Sequence, residues 1–212
     1  MLALKPLQQS SQWPVHWSNS KLMKILIAGD SFSSDWTKKY PDGLGWPNLL
    51  SKKFTVDNLS QAGCSEYRIY KQLTSVRLDN YDYIIVSHTS PYRIYTDYNP
   101  LRLNDKLHRH CDLIYSDSKN LAKSNQEYRA VSEYFEKFFS LEFADYVYRL
   151  IRQDISKVTE GYKVLHITHI KTQVPVDIDF SEEYLLHPGH INHYSDAGNK
   201  NVFNRIVQVI QS

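Results

Sequence analysis

Short, nearly continuous apolar runs, spaced out by helix-like segments, constrain this chain more than any other feature. Lys24–Ala28, Tyr83–Ser87 and Lys163–Thr168 are such runs, and Thr55–Leu59 is a further strand-like segment. A strand that lacks polar alternation is buried on both faces. Between the strands lie a helical stretch around Trp46–Lys53, with Pro47 in its first turn, and a periodic segment, Ser65–Val76, with Tyr67, Tyr70 and Leu73 among its apolar positions. Asn199–Ile210 closes the chain as a helix with Val202, Ile206, Val209 and Ile210 on one face. Strands that alternate with helices predict an α/β fold, a mostly parallel sheet covered on both sides. Ligands of such sheets bind outside the carboxyl ends of the strands.

The segment from about residue 89 to 161 carries no clear strand, and helices are expected over Asn104–His110, Tyr128–Phe139 and Leu141–Val158. Val174–Phe180 reads as a short fifth strand or as an extended loop. Repeats, low-complexity tracts and Gly/Ser linkers are absent, so residues 23–212 are expected to form one domain. Residues 1–22 read as a flexible leader or an extended arm carrying Trp13 and Trp17. Pro6 and neighbouring polar residues break the apolar opening that a secretory signal would need, so a cytoplasmic location is expected over secretion.

The 212 residues carry a formal charge of only +2, with no basic stripe, which gives no footprint for nucleic acid. No stretch approaches the roughly twenty apolar residues that span a bilayer. Cys64 and Cys111 form no CxxC pattern and are expected as buried free thiols. The 16 tyrosines suit either a half-buried aromatic core or a groove for polar ligands such as sugars. Oligomeric state is not legible.

Three positions carry the chemical signal. Ser31 follows the first apolar strand directly, in Gly29-Asp30-Ser31-Phe32-Ser33, where a hydroxyl can sit at the top of a sheet beside free backbone N–H groups. The same residues also suit a helix cap. Gly63 follows the second strand, and glycine lets backbone come close to a ligand with its N–H free. His193 lies in His190-Ile-Asn-His193-Tyr-Ser-Asp-Ala-Gly198, just before the last helix, placed to take a proton from the serine.

A strand ending in Gly-Asp-Ser, a glycine after the second strand and a late His-x-Ser-x-x-Gly together resemble the SGNH, or GDSL-type, hydrolases. The resemblance runs from about Lys24 to Ile210. It implies a three-layer α/β/α sandwich with a flavodoxin-like sheet, Ser31 as nucleophile and His193 as base. It also implies an oxyanion hole that uses the N–H groups of Ser31 and Gly63. The reaction implied is hydrolysis of an acyl ester on a small molecule or glycan, without a cofactor.

Two positions depart from the family pattern. Where the family carries Gly-x-Asn-Asp, this chain has Ser87-His88-Thr89-Ser90-Pro91, so Ser90 is the nearest match to the oxyanion-hole Asn, with Thr89 and His88 as neighbouring candidates. Arg93 is a candidate anion or substrate clamp and Asp30 a candidate orienting group. The family's Asp three residues before the histidine is His190 here, which leaves a Ser–His dyad or a carboxylate from elsewhere, such as Asp177, Asp179 or Glu183. A metal site at His187, His190 and His193 is not expected, because Pro188-Gly189 breaks any regular spacing. A catalytically impaired binding module is the alternative function. Tyr92, Arg93 and Tyr95 are expected to read the substrate.

Overall fold

The structure, a computed structural model, describes residues 22–97, 99 and 107–212. The expected leader and the first part of the Asn104–His110 helix fall almost wholly outside these residues. Residues 107–110, which are described, form turns.

The chain opens with strand β1 (Lys24–Gly29), helix α1 (Trp46–Ser51), β2 (Thr55–Asn58), α2 (Glu66–Thr74) and β3 (Tyr83–His88). A two-stranded antiparallel ribbon follows, β4 (Arg93–Ile94) with β5 (Leu113–Ile114), and then α3 (Tyr115–Leu121), α4 (Gln126–Lys137) and α5 (Leu141–Val158). The last third contains β6 (Val164–Thr168), β7 (Ile178–Asp179), α6 (Ser181–Leu186), β8 (Pro188–Ile191) and α7 (Asp196–Gln211). The central sheet runs β2-β1-β3-β6-β7, and every pairing in it is parallel. This is the flavodoxin-like order, whose topological switch point lies between β1 and β3.

Side-chain alternation along the strands divides the interior in two. Ile25 and Ile27 of β1, Ile85 of β3 and Leu165 and Ile167 of β6 pack with Trp46 and Leu50 of α1 and Val202, Ile206 and Ile210 of α7. Leu26, Ala28, Ile84 and Val86 point the other way, onto Ile69 and Leu73 of α2 and Ile155 of α5. Helices therefore cover both faces, and the fold is the expected three-layer α/β/α sandwich.

Val174–Phe180 resolves into a strand of two residues at the sheet edge, with Ile178 opposite Ile167. The ribbon, α3 and α6 are additions that the apolar pattern did not announce, since each is short and only partly buried. A buried ion pair fixes the ribbon to α2. Asp112 accepts from Arg68 at 2.7 Å and from the backbone N–H groups of Ser65 and Thr96. Cys64 and Cys111 are both buried free thiols.

Two histidines of the interior titrate far from the ordinary value. His169 is fully buried, stacked on Phe32 at 5.0 Å and on Phe180 at 5.4 Å, with Nδ1 2.7 Å from the Tyr194 hydroxyl. Its Nε2 has no partner among the described residues. Burial, helped by the nearby His193, pushes its pKa down to about 3. Burial and the neighbouring His88 bring His166 down to about 4. Both rings regain a pKa of about 6.5 on unfolding, so the unfolded chain binds the extra protons and acid favours it. Their contribution is complete above pH 6.5. It declines as pH falls towards 4, and below that through His169 alone. We expect the denaturant midpoint to fall steadily between pH 6.5 and 4, and His169→Phe to flatten that slope. A midpoint independent of pH in this window would contradict the assignment.

Candidate active site

The chain leaves β1 at the sheet's switch point and turns sharply. Asp30 O accepts the Ser33 N–H at 3.2 Å and the Ser34 hydroxyl at 2.8 Å, and Asp30 Oδ1 accepts the Phe32 N–H at 3.0 Å. Every carbonyl of the next four residues is held by a side-chain N–H. Ser31 O takes Trp36 Nε1 at 2.8 Å, Phe32 O takes Trp46 Nε1 at 2.7 Å and Ser33 O takes Asn58 Nδ2 at 2.8 Å. Asn192 Nδ2 reaches Ser34 O at 2.8 Å and Phe32 O at 3.0 Å, with Ser31 O at 3.4 Å. Donors from four separate segments thus immobilise a loop in which the Ser31 N–H remains unpartnered among the described residues.

The same Asn192 delivers the histidine. Asn192 and His193 both adopt left-handed backbone, at φ 51° and 65°. Asn and His tolerate this region better than most residues, though it still stores strain. That turn swings the His193 ring over the β1 loop, and Ser31 Oγ lies 2.8 Å from His193 Nε2. Phe32, Trp36 and Tyr184 surround the imidazole. Asn199 secures the arrangement from α7, accepting the Trp46 N–H at 2.9 Å and donating to Ile191 O at 3.0 Å. Gly45 is required here for close approach, because a Cβ on it would fall 1.6 Å from Asn192 Oδ1.

Burial pulls the His193 pKa below the ordinary histidine value; the charge of Asp30 opposes this, and Arg93 and His108 add to it. The ring is therefore neutral at pH 7. With Nε2 accepting from the serine, Nδ1 carries the proton. Among the described residues that Nδ1 makes no hydrogen bond. Asp177 accepts instead from His166 N, Asp179 from Ser181 N, and Glu183 sits near His187 and Asn201. His190 is exposed on β8 and makes no hydrogen bond to His193. The carboxylate whose charge acts on His193 is Asp30, on the serine's own loop.

Gly63 lies on the loop after β2, which is drawn against β1 by a hydrogen bond from Gln61 N to Gly29 O. It has φ 77°, and a Cβ there would come within 2.7 Å of Cys111 Cβ, so only glycine fits. Neither the Ser31 N–H nor the Gly63 N–H has a hydrogen-bond partner among the described residues. Thr89 is fully buried and its hydroxyl donates to Asp30 Oδ2 at 2.8 Å. The Ser90 hydroxyl accepts the Tyr92 N–H at 3.2 Å and makes no bond to Ser31, Gly63 or His193.

Arg93, the expected substrate clamp, makes two contacts within the protein. Its Nη1 lies 3.0 Å from Asp30 Oδ2 and donates to Cys64 O at 2.7 Å, so the guanidinium ties the Asp30 loop to the Gly63 loop. Lys71 and Asp97 engage the Tyr95 hydroxyl, while Tyr92 is exposed. Trp36, Asn58, Asn192 and Asn199 were not legible as site residues. They act by donating to backbone or accepting from it, which no side-chain motif records. The run Asn192-His193 before a Ser-capped helix was the one available hint, since Asn favours left-handed turns.

No protein-family model matches this chain, and no curated protein sequence matches it. Among solved structures it is similar to a protein from Desulfitobacterium hafniense DCB-2, provisionally described as a lipolytic protein of the G-D-S-L family. The two share 14% identity over 88% of this chain and 99% of that one, with a TM-score of 0.38.

Asn192→Ala removes the donor to Ser34 and Phe32 and leaves a β-carbon residue in left-handed backbone. We expect a loss of about 1–3 kcal/mol in a denaturant titration. Asn192→Gly, which relieves only the backbone, should recover part of that loss. Equal stability of Asn192→Ala and the parent would show that the clamp does not hold the loop.

Proposed function

We propose that the chain is a serine hydrolase of the SGNH type that cleaves acyl esters, with Ser31 as nucleophile and His193 as general base. The observation that carries this reading is the 2.8 Å contact between Ser31 Oγ and His193 Nε2, at the carboxyl edge of the sheet beside two unpartnered backbone N–H groups. A neutral imidazole and a serine hydroxyl in this contact form the nucleophile–base pair of acyl transfer. Ser31 attacks the ester carbonyl as its proton moves to His193 Nε2. The Ser31 and Gly63 N–H groups donate to the developing oxyanion, with Ser90 as a further candidate donor. Collapse expels the alcohol, which takes the proton from His193, and water attacks the acyl-enzyme through the same base. The substrate class proposed is an ester, such as an acetyl ester, on a carbohydrate or other polar small molecule.

Among the described residues no carboxylate bonds to His193 Nδ1, and Asp30 provides a compensating charge. Disabling the aspartate of a serine protease triad lowers turnover by about 10⁴. Slow turnover is therefore expected. The same observation favours the second reading, an SGNH-like binding module whose site no longer turns over.

A fluorophosphonate probe separates the two. The hydrolase reading expects one adduct, on Ser31, abolished in Ser31→Ala, and hydrolysis of p-nitrophenyl acetate that falls by about 10² in that variant. Absence of both adduct and turnover would leave the binding module. The pH profile is a separate check. His193 must be neutral to act, and burial holds its pKa below 6.5. Labelling should therefore be flat through pH 7 and fall only on a limb below pH 6.5. An acid limb centred above pH 7 would contradict a His193 base.

A further inference from the structure

A second polar constellation lies on the α2/α5 side of the sheet and plays no part in the chemistry above. Glu66 is buried at the start of α2, with Oε1 2.5 Å from His88 Nδ1 and Oε2 accepting the Thr89 N–H at 3.1 Å. His88 Nε2 lies 2.9 Å from His166 Nδ1. Arg152 of α5 is also buried, with Nε 3.9 Å from Glu66 Oε1. Burying a carboxylate, two imidazoles and a guanidinium is costly, and such clusters in a cleft mark functional sites more often than chance.

The hydrogen bonds dictate where each proton sits. Burial draws both imidazoles below the ordinary value and so keeps them neutral at pH 7; burial would raise Glu66, but its bonds to His88 and the Thr89 N–H and the charge of Arg152 hold it below the ordinary carboxylate value. The carboxylate accepts from His88 Nδ1–H, so His88 Nε2 is a lone pair and accepts from His166 Nδ1–H. His166 Nε2 is then left as a lone pair, with no partner among the described residues. His166 lines a cavity of about 660 Å³ together with Arg149, Arg152, Lys157, Gln173 and Asp177. Arg152 donates one Nη1 bond to the Tyr148 hydroxyl and one Nη2 bond to Pro175 O, which leaves it further donors. Arg149 has no ionic partner among the described residues, Lys157 pairs with Asp154 at 3.2 Å, and Asp177 is occupied by His166 N.

We propose that this cavity is a binding site for a phosphate group that still carries one proton, whether inorganic phosphate or a phosphate monoester. The guanidinium and ammonium groups meet the charged oxygens, and the P–OH donates to the fixed lone pair of His166 Nε2. Sulfate, fully deprotonated at pH 7, has no proton to give that nitrogen. A carboxylate has none either.

The test is an NMR titration of the His166 ring at pH 6, where about half of a phosphate monoester keeps its proton and His166 is still neutral, at constant ionic strength and with inorganic phosphate, glycerol phosphate and sulfate in separate arms. Saturable shifts with phosphate, at least about tenfold tighter than with sulfate and lost in Arg149→Ala/Lys157→Ala, are the expected result. Tighter binding of glycerol phosphate than of phosphate identifies the monoester as the ligand; the reverse identifies the free anion. Equal response to sulfate, or no response to either phosphate, would overturn the proposal. Both substituted residues are exposed, so folding should survive, and a thermal melt checks it. Ser31→Ala should bind phosphate unchanged, which separates this outcome from that of the hydrolase assay.

Discussion

The arrangement of this protein depends on the immobilisation of one short loop, Ser31 to Ser34, by hydrogen bonds to its carbonyl groups. A loop at the carboxyl end of a parallel strand has no ladder partner for those oxygens, and leaving them buried and unpaired would be costly. Two tryptophans and two asparagines from four segments provide the donors. With the carbonyls tied back, the Ser31 hydroxyl meets His193 Nε2 and the Ser31 N–H keeps no partner among the described residues. Asn192 does this in the residue before His193, so the bond that holds the serine loop also places the base over it.

Charge around the site follows a related logic. Asp30 is buried and would be costly alone, and Arg93, Thr89 and the Phe32 N–H satisfy it. Arg93 also holds the carbonyl of Cys64, next to Gly63, so one guanidinium joins two of the three loops that meet at the serine. Its charge also weakens the support that Asp30 gives to a protonated His193. The site is well held in geometry and modest in electrostatic assistance. Thr89 extends the network further, since its hydroxyl binds Asp30 and its N–H binds Glu66, at the head of the His88–His166 relay.

The parallel sheet, its two covering layers and the positions of Ser31, Gly63 and His193 at its edge were legible in the sequence. Buried strands must be apolar throughout, and chemistry in such folds collects at the strand ends. Less legible was the long stretch between β3 and β6, whose ribbon and α3 are too short to impose a period. The tie that Arg93 makes between the Asp30 and Gly63 loops was not legible, because an arginine's partner is a matter of distance in space. Asp30 lies 63 positions earlier and only β3 packing against β1 brings them together.

The sequence by itself determined the layers and which strand ends would carry polar groups, because hydrophobic periodicity acts locally and survives in a linear string. Only the tertiary structure decided that Ser31 and His193 touch and that Glu66, His88 and His166 align. Each of those depends on hydrogen bonds between residues 22 to 162 positions apart, whose geometry exists only once the sheet has closed.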